Sequence, residues 1–265
     1  MKRYVKQPIE CGVFVDKDNV TRFNWTRDVM DRDLIWLKRP SSGYLTKDGV
    51  MIVYGYEYAD PHYPKDKLHA FREFIKHPDY STDDVEKFVI NGINNFCKVS
   101  DMDNYSVLIG VPSKKKPSIL DEMKSQLREI CDIYMSLDLV KETYKNVKFD
   151  EDKARTALSK SKYDRDIDDT IEFIKEKFEA LKKSNQLFEM KRFLPREIRV
   201  AFSDFLKFGS EQEREVYEEL QGVNVLMYDD LFTSGSTLRE MARYLRSINP
   251  TNTLTAFVLI KQSDR

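Results

Sequence analysis

Apolar residues recur along the chain in two rhythms. A continuous apolar run stands at Val107 to Val111, and largely apolar runs stand at Leu137 to Val140, at 223–228 and at Leu254 to Ile260. Short runs without alternation are expected of strands covered on both faces, as in a parallel sheet. Between them, apolar positions fall at helical spacing. Leu120, Met123, Leu127, Ile130 and Cys131 predict a helix over about 119–134. Ile171, Ile174, Phe178 and Leu181 predict another over 167–183. Leu238, Met241, Ala242, Leu245 and Ile248 predict a third after 237. Strands alternating with helices predict an α/β fold with a doubly wound parallel sheet.

The first hundred residues keep a different rhythm. Val13 to Val15 predicts a short strand, and Gly43 to Tyr58 a hairpin turning at Asp48-Gly49. In its second arm Tyr54, Tyr56 and Tyr58 alternate onto one face. That face is either a stacking platform for a base or an ordinary half-buried aromatic sheet face. Leu68, Phe71, Phe74 and Ile75 have helical spacing. Ser81-Thr82-Asp83-Asp84 opens a second helix, with Val85, Phe88, Val89 and Ile93 on its apolar side. The division expected is a β-rich and helical region over 1–100, and a core domain over 101–265. A lysine- and glutamate-rich helical insertion interrupts that core at about 145–215. Within it, Lys191, Arg192, Arg196 and Arg199 either reach an anion or form a solvated face.

The candidate chemistry gathers in Val225 to Thr237, VLMYDDLFTSGST. An apolar strand ends in two carboxylates, Asp229 and Asp230. A small hydroxylated turn follows, Thr233, Ser234, Gly235, Ser236 and Thr237, and leads into a helix. A loop entering a helix presents free backbone N–H groups beside the positive end of the helix dipole, which favours an anion. Gly235 lets the backbone approach that anion closely, and the hydroxyls add donors. A phosphate monoester suits such a loop. Adjacent carboxylates accept hydrogen bonds from vicinal hydroxyls or hold a hydrated divalent cation. Phosphate at one end and a diol at the other describe a ribose 5-phosphate. A second strand-to-helix loop, Pro112-Ser113-Lys114-Lys115-Lys116, offers another anion site.

Composition narrows the classes. With 44 basic and 45 acidic residues the net charge is −1, which does not argue for nucleic acid or an anionic membrane. No apolar run approaches the ~20 residues of a membrane span, and MKRYVKQPIECG lacks a signal-peptide core. Cys11, Cys97 and Cys131 form no C-x-x-C, so a reduced, cytoplasmic protein is expected. His62, His69 and His77 have no metal-ligand spacing with a cysteine or carboxylate. Neither a dinucleotide fingerprint nor a Walker loop is present.

The stretch Val225 to Thr237 resembles the PRPP-binding motif of the type I phosphoribosyltransferases: strand, acidic pair, two apolar positions, then T-x-G-x-T. The wording T-S-G-S-T is similar to the competence-associated, amidophosphoribosyltransferase-like branch. The resemblance implies that Thr233, Ser234, Gly235, Ser236 and Thr237 hold the 5-phosphate of 5-phosphoribosyl 1-diphosphate (PRPP). Asp229 and Asp230 would face the ribose hydroxyls and a Mg2+ cofactor. Ser113, Lys114 and Lys115 would hold the pyrophosphate, with Lys114, Asp229 and Asp230 as the catalytic set. The implied activity is transfer of ribose 5-phosphate to a nitrogen acceptor with release of pyrophosphate. The alternative is a non-catalytic module that senses PRPP or a nucleotide and acts through a protein or nucleic acid; a homodimer is compatible with either. The 6-oxopurine members place an acidic base where Thr233 stands. The competence-associated branch often carries an N-terminal zinc-binding cysteine cluster that is not found here. Family members close a mobile loop over the site where this chain has its long insertion.

Overall fold

The computed structural model describes residues 9–15, 21–25, 35–40, 43–46, 49–58, 71, 83–100, 105–111, 118–161, 166–232 and 235–261. In chain order the first elements are β1 (Ile9–Val15), β2 (Thr21–Asn24), β3 (Ile35–Lys38), β4 (Tyr44–Leu45) and β5 (Met51–Tyr58). Then come α1 (Asp83–Cys97), β6 (Tyr105–Gly110), α2 (Ile119–Ile130), β7 (Met135–Lys141) and β8 (Lys148–Phe149). The insertion continues with α3 (Glu151–Ser159), α4 (Ile167–Lys182), two 3-10 turns (Met190–Arg192 and Arg196–Ala201), β9 (Phe202–Ser203), β10 (Leu206–Phe208) and α5 (Glu211–Glu219). The chain closes with β11 (Asn224–Phe232), α6 (Ser236–Ile248) and β12 (Thr253–Lys261). The fold is mixed α/β, as the alternation of runs and helical spacing predicts. It divides into two compact units. One lies within Met1–Leu137, Gly222–Thr233 and Thr253–Arg265, the other within Asp138–Gln221 and Ser234–Asn252.

The first unit is built on a sheet of order β6-β11-β12-β5-β3-β1-β2. β11 pairs in parallel with both β6 and β12, and β12 in parallel with β5. Beyond β5 the pairing is antiparallel, and β4 forms the expected hairpin with β5 around Gly49 at φ 71°. The apolar face of α1 supplies Phe88, Val89, Ile93 and Phe96, and α2 supplies Ile119, Met123 and Leu127. These meet Leu108, Leu226, Phe257 and Leu259 of the parallel strands in one core. Burying each large side chain there contributes roughly 1.5–3 kcal/mol. A pair of glycines allows α1 to sit against the sheet backbone. A Cβ at Gly55 would lie 2.9 Å from the Leu259 carbonyl and 3.0 Å from the Gly92 Cα.

Tyr54, Tyr56 and Tyr58 are all buried, so the alternative of an ordinary sheet face holds and no open stacking platform exists. Tyr56 stacks on Phe88 with centroids 4.5 Å apart and donates its hydroxyl to the Phe88 carbonyl at 2.8 Å. Tyr54 has different neighbours: the Phe232 ring, edge-on at 5.5 Å, and the Lys261 ammonium, 5.0 Å from its centroid.

The second unit contains most of the lysine- and glutamate-rich insertion, and it has a core of its own. Tyr144, Phe149, Phe178, Phe188, Phe193 and Phe202 pack ring against ring, the closest pair, Phe193 and Phe202, at 4.5 Å. The insertion is not only helical. β8 pairs antiparallel with β9, and β10 with the end of β7. The helix expected to reach Tyr134 stops at Ile130, because Cys131 caps it and Asp132 turns left-handed at φ 51° before β7 begins. The three histidines, and Leu68, Phe74 and Ile75 of the expected first helix, lie outside the described residues.

Candidate functional site

In the first unit the carboxylates are positioned by β11, which lies between two parallel neighbours, β6 and β12. Val225 to Tyr228 are buried because both neighbours and α2 cover them. Pairing with β6 ends at Tyr228↔Gly110, whereas pairing with β12 continues through Phe232↔Lys261. The acidic pair therefore lies inside the strand rather than beyond its end, on the stretch where one neighbour has stopped. That is why Asp229 and Asp230 are half-buried while the four residues before them are covered. The Asp230 amide donates to the Asp229 carboxylate at 3.0 Å, which holds one carboxylate back along the strand. Ligands of parallel sheets bind beyond the C-terminal ends of their strands, and the pair stands at that end.

Tyr228, just before the pair, depends on a residue that sequence reading passed over. Its ring lies across Gly110, where a Cβ would come within 2.3 Å of two ring carbons. Only the last position of β6 being glycine seats the tyrosine. The same end of the sheet carries a charged row joining three strands. Lys261 of β12 approaches Glu57 of β5 at 3.3 Å, and Lys38 of β3 reaches the same carboxylate at 3.9 Å. No sequence signal marks this row, because its members are up to 223 positions apart.

In the second unit, Gly235 is the N-cap of α6 with φ 67° and ψ 9°, a left-handed conformation that costs glycine little. As a glycine it offers this helix no capping side chain of its own. By contrast α2, α3, α4 and α5 are capped by Ser118, Asp150, Asp166 and Ser210. The start of α6 thus keeps its dipole end without a built-in acceptor from the cap. Ser236 is buried and Thr237 half-buried. The helix is anchored by Leu238, Met241, Ala242 and Leu245 on its apolar side. Glu240, 4% exposed, accepts from Arg243 at 2.7 and 2.8 Å. Arg243 also binds Asp204, which Lys148 holds at 2.9 Å. Bonding to Glu240, reinforced by Asp204, raises the Arg243 pKa.

Of the residues expected at the site, Asp229 and Asp230 belong to the first unit, and Gly235, Ser236 and Thr237 to the second. Thr233, Ser234, Ser113, Lys114 and Lys115 lie outside the described residues. Arg192 of the insertion is engaged by Glu189 and Gln186. It borders a cleft of about 1020 Å³ inside the second unit. Lys177, Arg192 and Arg196 line that cleft together with Asp166, Asp169 and Glu197, so its charges balance and it does not suit a diphosphate. Among the described residues no three His, Cys, Asp or Glu gather to hold a metal ion. No described helix is long and apolar enough to cross a membrane.

Neither a protein-family model nor a curated protein sequence matches the chain. Among solved structures it is similar to a hypoxanthine phosphoribosyltransferase from Staphylococcus aureus. The tetragonal crystal form matches at a TM-score of 0.32 and 10% identity, over 74% of this chain and 72% of that one. The orthorhombic form matches at 0.31 and 11%, over 74% and 76%.

Proposed function

We propose that this chain binds PRPP through residues 225–237 and transfers its ribose 5-phosphate to a nitrogen acceptor, releasing pyrophosphate. One observation carries the reading. Two half-buried carboxylates stand near the C-terminal end of a central parallel strand, and five positions after Asp230 a left-handed glycine, which has no capping side chain of its own, opens a helix. Their order and spacing in the chain suit a pentose phosphate, with a diol acceptor and a phosphate cradle in one continuous stretch.

In this reading Asp229 and Asp230 accept from the ribose 2- and 3-hydroxyls and fix the sugar's rotation. The amides and hydroxyls of 233–237 hold the 5-phosphate, so the anomeric carbon is presented in one orientation. Ser113, Lys114 and Lys115 neutralise the charge that develops as the C1–O bond to the diphosphate breaks. The acidic pair fits Mg2+, whose contribution when bound is that of Lewis acid and template.

Calorimetry with PRPP in the presence of Mg2+ tests the binding, and pyrophosphate release against a panel of bases and amines tests the transfer. Absence of PRPP binding overturns the whole reading. Binding without release, whatever the acceptor, supports the sensing module in place of the enzyme.

A further inference from the structure

We infer that Cys97 and Cys131 form a dithiol that a hydroperoxide oxidises to an intramolecular disulfide. The two are 34 positions apart, so no spacing signal marks them. The fold brings them together within the first unit. Cys97 is the last residue of α1, Cys131 caps the end of α2, and the two helices pack side by side over the same core. Both side chains pack against that core, close enough to perturb each other's ionisation, and both are partly exposed. Tyr105, the first residue of β6, packs against the same core. Cys11, the third thiol, is only 1% exposed.

The pair is polarised. The interaction with Cys131, helped by a backbone hydrogen bond and Lys98, holds Cys97 below the ordinary thiol range. The same interaction and burial push Cys131 well above it. Lys98, next to Cys97 in the chain, favours a thiolate there, which makes Cys97 the attacking thiol and Cys131 the resolving one. Both sulfurs stand at helix C-termini, where the dipole opposes a thiolate, so the reaction calls for millimolar peroxide rather than traces. In the first step the Cys97 sulfur attacks the peroxide; an S–O bond forms, the O–O bond breaks, and hydroxide leaves to become water. In the second, the Cys131 sulfur attacks the Cys97 sulfur; an S–S bond forms, the S–O bond breaks, and the Cys131 proton leaves with the hydroxide as water. Two thiols are oxidised and one peroxide is reduced to two waters.

The dithiol is remote from the carboxylates of the same unit. Tyr105 pairs with Asn224, and Asp229 lies five residues further along β11, about 17 Å at strand spacing. The inference is thus independent of PRPP binding.

The test treats the full chain with hydrogen peroxide, unfolds it, alkylates the remaining thiols and maps the peptides by mass spectrometry. The expected result is loss of two hydrogens from the intact mass and one thiol left of the three. A single linked peptide pair joins Cys97 to Cys131, and dithiothreitol reverses it. Three remaining thiols, a link through Cys11 or a disulfide between two chains overturns the inference. In Cys131→Ser, dimedone should capture a sulfenic acid at Cys97; in Cys97→Ser, Cys131 should stay unmodified at the same dose. The opposite order of reactivity overturns the assigned polarity. Mapping of the unaltered chain decides the main point even where a serine variant does not fold.

Discussion

At Gly110 one hydrogen decides how the acidic strand is seated. A methyl group there would overlap the Tyr228 ring, and the backbone of β6 has no freedom to withdraw while paired to β11. Gly110→Ala is expected to cost about 1–3 kcal/mol, the range of overpacked cores, read as a lower urea midpoint. Wild-type stability in that variant would show that the tyrosine has another place to go. At the neighbouring positions the expectation is reversed. Asp229→Asn together with Asp230→Asn should leave stability within about 0.5 kcal/mol, as for half-exposed surface changes, while PRPP binding by calorimetry is lost. Unchanged affinity removes the diol role. Gly235→Val places a β-branched residue at φ 67°, a strain of about 1–2 kcal/mol, and fills the cradle. Survival of phosphate-ester binding in that variant rules out the loop.

Among the elements, α2 shows how local chemistry sets a boundary. Ser118 accepts from the Asp121 amide at 3.3 Å, while Asp121 accepts from the Ser118 amide at 3.0 Å. Ser118→Ala should lower stability by about 1 kcal/mol, measured by thermal or urea unfolding. A conformational link within the second unit depends on charge. Asp204, left-handed at φ 60°, ties Lys148 of β8 to Arg243 of α6. Burial pushes its carboxyl up, but Lys148 and Arg243 outweigh that and hold it below its ordinary value. A carboxyl lowered in the folded state contributes stability above its unfolded pKa of about 3.9, and loses it as pH falls through the folded value. The gap in urea midpoint between the wild type and Asp204→Asn should thus be widest at neutral pH and close below about pH 4. A gap that widens in acid would contradict the sign. Glu142, held low against burial by Asn146 and Lys207, shifts in the same direction.

Across the whole molecule, the parts legible in the sequence are those whose signal is local. The apolar runs marked β6, β7, β11 and β12, and helical spacing marked α1, α2, α4 and α6. The Asp48-Gly49 turn foretold the β4–β5 hairpin. The acidic pair and the glycine are visible as a motif because seven positions contain them. What stayed hidden depends on neighbours far along the chain. The aromatic core of the insertion is masked by the surrounding lysines and glutamates, since Phe149, Phe178, Phe193 and Phe202 meet only after folding. The continuation of β11 through Asp229 and Asp230 is decided by β12, which offers partners where β6 offers none. Spacing and turn chemistry act over a few residues, so the sequence by itself determined those elements, the class of sheet and the candidate residues. Which strand lies beside which, which tyrosines are covered and which helix ends bring two cysteines to one core follow from burial summed over the entire chain, and only the tertiary structure decided them.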